Sequence, residues 1–412
     1  DREWYQTFQQ FRMRLVAMLD ELLPRLESDP GAGPFLLDGQ LAVVDDYLEV
    51  RPEAGPAIRR LNAAGRLSVG PWYILMDEFL VSGETIVRNL QLGLERAAAF
   101  GGALPVGYLP DMFGHVAQMP QLLRQANLAH AVVWRGVPSS ITRTGFWWRA
   151  PDGSTVRAEY LPVGYGIGAH LPADAEGLVR RLRALAFELG PFLADESDPI
   201  LLMNGTDNEL PQTHVPRLLE EANRDQKDFE FELVSLASYL EAATTEALPS
   251  WDGELRSGAR ANMLMGVVSN RVDVRVAAAR AERALEHRAE PLAALWSPPE
   301  RWPEDMLRRA WLDVIRNSAH DSICACSADE VATAVLHRYA DATAIADSIT
   351  DEALAYVSLA VDASGPVIVN PTPERRGGVV ELSVAGAEPV EGAQLLARVE
   401  AGTIERVGVG SD

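Results

Sequence analysis

Cysteine is almost missing from this chain. Of 412 residues only Cys324 and Cys326 carry a thiol, one residue apart in a segment that reads as helical, where a mutual disulfide would be badly strained. A disulfide-stapled scaffold is therefore excluded, and low cysteine usage fits a reducing cytoplasm. No apolar run is long enough to span a bilayer, so membrane insertion is not expected. Positive charge is scarce as well: 37 Lys and Arg against 59 Asp and Glu leave a formal charge of -22. Phosphate-backbone binding draws its affinity from Lys and Arg clusters, so nucleic acid is not an expected partner, whereas a neutral sugar would not be repelled. No secretory leader is expected, and the sequence shows no internal repeat or low-complexity segment. A chain with 47% hydrophobic and 23% charged residues is globular, and its length predicts two or three domains.

What is present has a clear order. Phe8, Phe11, Leu15, Met18, Leu19, Leu22 and Leu23 recur at the three-and-four spacing of one helical face. Short apolar runs then alternate with helical stretches: FLLD (35–38), LSVG (67–70), VGYLPD (106–111), AVVWR (131–135), ILLMNG (200–205) and FEFELV (229–234). This alternation predicts an α/β fold with a parallel sheet or barrel. Several runs end in polar residues, Asp38, Asp111, Arg135 and, after Gly-Thr, Asp207, and strand carboxyl ends are where such folds build sites. Beyond Arg271 three helical stretches are expected, near 271–288, 303–339 and 341–361, forming a bundle. After Gly365 the runs VIVN, VVELSV and LLARVE read as short antiparallel strands.

Four stretches combine acids, histidines and aromatics outside any apolar face: DREWY (1–5), GYLPDMFGH (107–115), NGTDN (204–208) and AHDS (319–322). Each alone reads equally well as a cap, a turn or a surface pair. Carboxylate and imidazole ligands suit zinc, and Asp1, Asp111 and His320 together would supply a catalytic set with an open position. Two carboxylates flanking a glycosidic bond are the usual requirement for glycoside hydrolysis, and Asp111 and Asp207 end different runs.

In order and spacing these segments, with LDGQ (37–40), GPWY (70–73), DEFLVSGE (77–84), VRNL (87–90), VWRG (133–136) and PDGS (151–154), resemble glycoside hydrolase family 38, the zinc α-mannosidases, and its bacterial branch in particular. DREWY resembles the family's opening His-x-Asp ligand pair followed by Trp, with the histidine two residues before Asp1 not in the sequence. On that ground the 412 residues are expected to bind zinc weakly. The resemblance implies a seven-stranded (β/α) barrel over residues 1–255, a three-helix bundle over 256–362 and the start of a β-sandwich over 363–412. It implies a retaining exo-α-mannosidase working through a covalent mannosyl-aspartate. Asp111 would be nucleophile and Zn2+ ligand, Asp207 acid/base, and Asp1 and His320 further zinc ligands. Trp4, Arg135, Tyr165 and Asp321 would bind substrate. Asn208 follows the acid where bacterial relatives often have His or Gln. The partner would be a mannoside or oligosaccharide, and a homo-oligomer is compatible with it.

The remaining conspicuous residues read as structural. His115, His130, His170, His214, His287 and His337 are expected to cap or pack, as are the tryptophans at 72, 147, 148, 251, 302 and 311. Asp38, Asp77 and Glu78 are expected to orient loops, and the two cysteines to pack on a helix. Mannosylglycerate hydrolysis is the alternative within the family. A metal-dependent carbohydrate deacetylase and an inactive sugar-binding fragment are the alternatives outside it.

Overall fold

The computed structural model describes residues 2–193, 195, 198–363, 367–375, 377, 379–384, 393–397 and 405–410. The first helix, Phe8–Ser28, starts where Gln10 reaches back to accept from the Thr7 backbone N–H at 2.9 Å, and it buries Phe11, Leu19, Leu22, Leu23 and Leu26. Strands β1 (Phe35–Leu36) and β2 (Leu67–Ser68) pair in parallel. Next come β3 (Val106–Leu109), β4 (His130–Val133), β5 (Gly145–Arg149), β6 (Thr155–Tyr160) and β7 (Ser250–Asp252) in one five-stranded sheet of order β3-β4-β6-β5-β7. The fold is thus mixed α/β.

Side chains alternate across this sheet, as a period of two requires. Val106, Tyr108 and Val132 join one buried cluster with Leu236, Tyr239 and Leu240, while Leu109, Ala131 and Val133 join another with Trp72, Phe146 and Trp148. Both faces are covered, so the strands read as continuous apolar runs rather than alternating ones.

Three departures from the sequence reading have physical causes. The sheet is not wholly parallel, because β5 and β6 form an antiparallel pair and β6 takes the place beside β4. The runs 200–205 and 229–234 form no ladder: Phe229, Leu233 and Val234 stay exposed, and 200–205 is instead tied to a loop through Gly168 N–H donating to Met203 O at 2.8 Å. The helical stretches break elsewhere than expected. One helix runs unbroken over Asp329–Ala360, and the break falls between Asn317 and Asp329, where only His320–Ile323 is helical. There the chain leaves the helix to pair its backbone with residues 75–77, which uses donors that a helix would have kept for itself. Of the tail runs, VIVN forms no strand, and the three-stranded antiparallel sheet consists of Val379–Val384, Glu405–Gly410 and Ala393–Ala397 in that order.

The chain divides into two units, Asp1–Glu282 with Trp311–Ala342, and Arg283–Ala310 with Thr343–Asp412. Every residue of the site described below belongs to the first. Among the described residues no helix is long and apolar enough to cross a membrane.

Candidate active site

Strand register brings the first two site residues together. Leu109 of β3 pairs with Val133 of β4, so Asp111 and Arg135, each two residues further on, leave the sheet side by side. Arg135 donates to Asp111 Oδ1 from Nε at 3.0 Å and from Nη2 at 2.8 Å, while its plane lies 3.9 Å from the Trp134 ring. The third guanidinium nitrogen, Nη1, donates to the Asn262 carbonyl at 2.7 Å. With three nitrogens engaged and one face stacked, Arg135 has little rotamer freedom left.

The segment Leu255–Asn262 clasps both loops. Leu255 exchanges backbone hydrogen bonds with His115 at 2.9 and 3.0 Å, and Ser257 N–H donates to Gly136 O at 2.9 Å. Gly114 and Gly136, at φ 103° and 86°, close on the Leu255 carbonyl from the Asp111 loop and the Arg135 loop respectively. A Cβ on Gly136 would overlap that oxygen. Below the Asp111 loop, His115 Nδ1 and Glu78 Oε1 lie 2.7 Å apart in full burial, and Glu78 Oε2 accepts from Val116 N–H at 2.9 Å. Glu78 and His115 thus hold the loop, as the sequence reading expects. Burial pushes the Glu78 carboxyl up, and His115 opposes that.

His320 arrives from the other end of the unit. Met76 bridges Ala319, Asp77 N–H donates to Ser318 O at 3.0 Å, and His320 N–H donates to Leu75 O at 3.1 Å. The imidazole Nδ1 also lies 3.2 Å from Leu75 O. A carbonyl only accepts, so Nδ1 carries a proton, and Nε2 faces Asp111 Oδ2, 3.3 Å away, with Asp321 Oδ2 at 3.8 Å. Burial would depress His320, but Asp321 and Asp111 outweigh it and lift the imidazole to about 9. Burial likewise would raise Asp111, and His320 and Arg135 outweigh it, so the carboxyl is held below its usual range and stays ionised. Asp321, buried beside those groups, is pushed up to about 6.

Facing them across one cleft is Asp207, exposed, with Tyr165 Oη donating to its Oδ2 at 2.8 Å. Burial, then Asp111 and Asp207, raise Tyr165, which keeps its proton and acts as a donor. The two come together because Gly168 donates to Met203 O and Asn204 Nδ2 donates to Gly168 O at 2.6 Å, which ties the loop after β6 to the loop before Asp207. The cleft, about 560 Å³, is lined by Asp38, Tyr108, Asp111, Tyr165, Asp207 and His320 among others. Trp4, Arg135 and Asp321 stand outside that lining, Trp4 half-buried with its ring 4.9 Å from that of Tyr5 in an edge contact.

Asp1 lies outside the described residues. Its neighbours are clamped. Arg2 donates to Asp46 from Nε at 2.6 Å and from Nη2 at 2.8 Å, both buried, and Glu3 accepts from Ser322 Oγ at 3.0 Å and from Arg338. Two residues of the site were missed by sequence reasoning. Asp38 lines the cleft rather than a loop surface, and Tyr108 forms part of its floor. The signal for Asp38 was its place just past a strand end before Gly39, while Tyr108 looked like any other core aromatic of β3.

Imidazole and carboxylate donors suit zinc. With Nδ1–H fixed on a backbone carbonyl, His320 Nε2 faces Asp111 Oδ2 at 3.3 Å, and a cation taking the place of the Nε2 proton would find an imidazole nitrogen and a carboxylate oxygen side by side. That donor chemistry fits a cation. Among the described residues no group of three or more His, Cys, Asp or Glu side chains closes into a metal cage.

Known proteins give the arrangement a family. Residues 1–254 match the profile of the glycosyl hydrolases family 38 N-terminal domain. A protein of Halalkalibacterium halodurans named "Putative mannosylglycerate hydrolase" is 34% identical over 357 residues, 80% of this chain and 39% of that protein. Human "Alpha-mannosidase 2C1" is 28% identical over 334 residues, 77% of this chain and 30% of that protein. The crystal structure of an alpha-mannosidase from Enterococcus faecalis V583 superposes with a TM-score of 0.89 at 28% identity, covering 100% of this chain and 53% of that one. The chain thus spans less than half the length of these two curated relatives and about half of the solved structure. With more than half of its residues inside the profile, and the strand ends, loops and facing carboxylates described above, the chain belongs to glycosyl hydrolase family 38.

Proposed function

We propose that the chain is the catalytic part of a zinc-dependent retaining exo-α-mannosidase. One observation carries this reading: an ionised Asp111, gripped by Arg135 and facing His320 Nε2, shares a cleft with a second carboxylate, Asp207, held by Tyr165. In this reading the Asp111 carboxylate attacks the anomeric carbon as Asp207 gives its proton to the departing glycosidic oxygen. Asp207, now a carboxylate, then takes a proton from water, whose oxygen attacks the same carbon and frees Asp111. Configuration is retained, and the two carboxyl groups work about 5–5.5 Å apart. Arg135 keeps Asp111 aimed and lowers its charge density, which helps it leave in the second step. Zinc on Asp1, Asp111 and His320 would supply positive charge for adjacent sugar hydroxyls, the role that suits family 38. Trp4 would wall the sugar pocket and Asp321 would accept from its hydroxyls.

The architecture proposed with it is a seven-stranded barrel over 1–255, a three-helix bundle over 256–362 and the start of a β-sandwich over 363–412. A bacterial, cytoplasmic setting is part of the same reading. Mannosylglycerate is the second reading, favoured by the name of the 34% identical relative. A panel of α-1,2, α-1,3 and α-1,6 mannosides together with mannosylglycerate separates the two. Asp111→Ala is expected to abolish turnover and to lower zinc affinity in the same protein, and NMR is expected to show α-mannose as the first-formed anomer. A variant with normal zinc content and appreciable hydrolysis, or initial β-mannose, sinks the assignment.

A further inference from the structure

Asp38 and Tyr108 have no part in the reaction just described, yet both face its cleft. After Leu36 pairs with Ser68, the chain turns through Asp38 and Gly39 at φ 46° and 68°, an uncommon conformation for a residue that carries a Cβ. The turn leaves the Asp38 carboxylate open to the cleft. One oxygen, Oδ2, accepts from Gln40 Nε2 at 2.8 Å. The Gln40 amide is itself fixed, since its oxygen accepts from Leu75 N–H at 3.2 Å and the residue is buried. Among the described residues the other Asp38 oxygen has no donor.

Tyr108 comes up from β3 with its ring against the Gly39 Cα, where an added Cβ would lie 3.0 Å from the ring. Only 3% of the residue is exposed, and its hydroxyl makes no hydrogen bond among the described residues. It points toward the ground shared by Asp38, Asp111 and Asp207, and burial together with those carboxylates keeps it protonated. The ring is buried while the residue lines the cleft, so the hydroxyl is placed to donate to a ligand or a water there.

The two groups are complementary: Asp38 offers an acceptor only, and Tyr108 offers a fixed donor. A sugar hydroxyl both donates and accepts, whereas an anion at this place would meet three carboxylates. We infer that Asp38 and Tyr108 bind hydroxyl groups of the terminal sugar, which makes the cleft floor a specificity-determining surface for a neutral glycosyl unit. This rests on the glycosidase reading above and extends it to the choice of sugar.

The test crosses two variants with a series of monodeoxy aryl α-mannosides. Tyr108→Phe removes one oxygen and keeps the ring on Gly39, and Asp38→Asn keeps the size and the Gln40 contact. Each is expected to lose roughly 10- to 100-fold in kcat/KM on the parent mannoside. The loss should shrink toward nothing on the one deoxy substrate that lacks the partner hydroxyl, with the melting temperature of Tyr108→Phe unchanged. Equal losses across the whole deoxy series, or no loss on the parent, overturn the floor and leave the glycosidase reading standing. If the unaltered protein turns over no α-mannoside, the glycosidase reading itself falls.

Discussion

Asp111 and Asp207 are chemically the same side chain, and their surroundings give them different work. Asp111 sits among Arg135, His320 and the loop that Glu78 and His115 hold, so it stays ionised despite burial. Asp207 lies exposed at the end of an irregular segment with one donor among the described residues, Tyr165. A group on the open side of the cleft can exchange protons with water, which suits an acid/base. Replacing Asp207 with Ala is therefore expected to cost about 10²–10⁴-fold on substrates with poor leaving groups and much less on activated aryl mannosides in the first step. A leaving-group series measures this, and a uniform loss would make Asp207 merely structural.

The segment Leu255–Asn262 acts on the site as a unit, because its backbone meets the Asp111 loop at His115 and the Arg135 loop at Gly136 and, through the Asn262 carbonyl, at Arg135. Glycine at 136 is required twice over, by a φ of 86° and by the nearness of the Leu255 carbonyl. Gly153 has almost the same φ, 89°, but open space around its Cα, so it isolates the backbone term. Gly153→Ala is expected to cost about 1 kcal/mol of stability and no activity. Gly136→Ala is expected to cost about 2–4 kcal/mol and to lower kcat/KM at least tenfold, as Arg135 is pushed from Asp111. Thermal melts and kinetics on both variants check it, and matching behaviour of the two would remove the clasp from the account.

Over the whole molecule, the proposed metal joins parts that are far apart in sequence. Asp111 follows β3, while His320 lies beyond two hundred further residues on a stretch paired with residues 75–77. The clamps at Arg2–Asp46 and Glu3–Ser322 hold the segment next to Asp1. An ion that binds only the folded arrangement stabilises all of these at once. At a free zinc concentration of about 100 times Kd the gain is about 2.7 kcal/mol. For a unit of this size that corresponds to roughly 4 °C in melting temperature. Chelation is expected to lower the melting temperature by that amount in the unaltered protein and to leave Asp111→Ala unmoved; an equal shift in both would place the ion elsewhere.

Strand ends, the first helix and the order of the acid-bearing motifs were legible in the sequence, since each follows from periodicity and turn residues within a few positions. Asp111, Arg135, Asp207 and His320 were named from those motifs and Tyr165 from the family resemblance alone, and the fold brings Asp111 to Arg135 and His320, and Asp207 to Tyr165. Pairing was not legible. That β6 lies between β4 and β5, that 200–205 is tied to a loop instead of a ladder, and that the helical region breaks at 318–328 all depend on distant backbone partners. The same holds for the cleft floor, because Tyr108 and Asp38 look like a core aromatic and a turn acid until Tyr108 is packed against Gly39. A sequence determines which residue types stand at strand ends through local conformational preference; which of them face one another is decided by non-local packing and hydrogen-bond pairing, which only the folded chain contains.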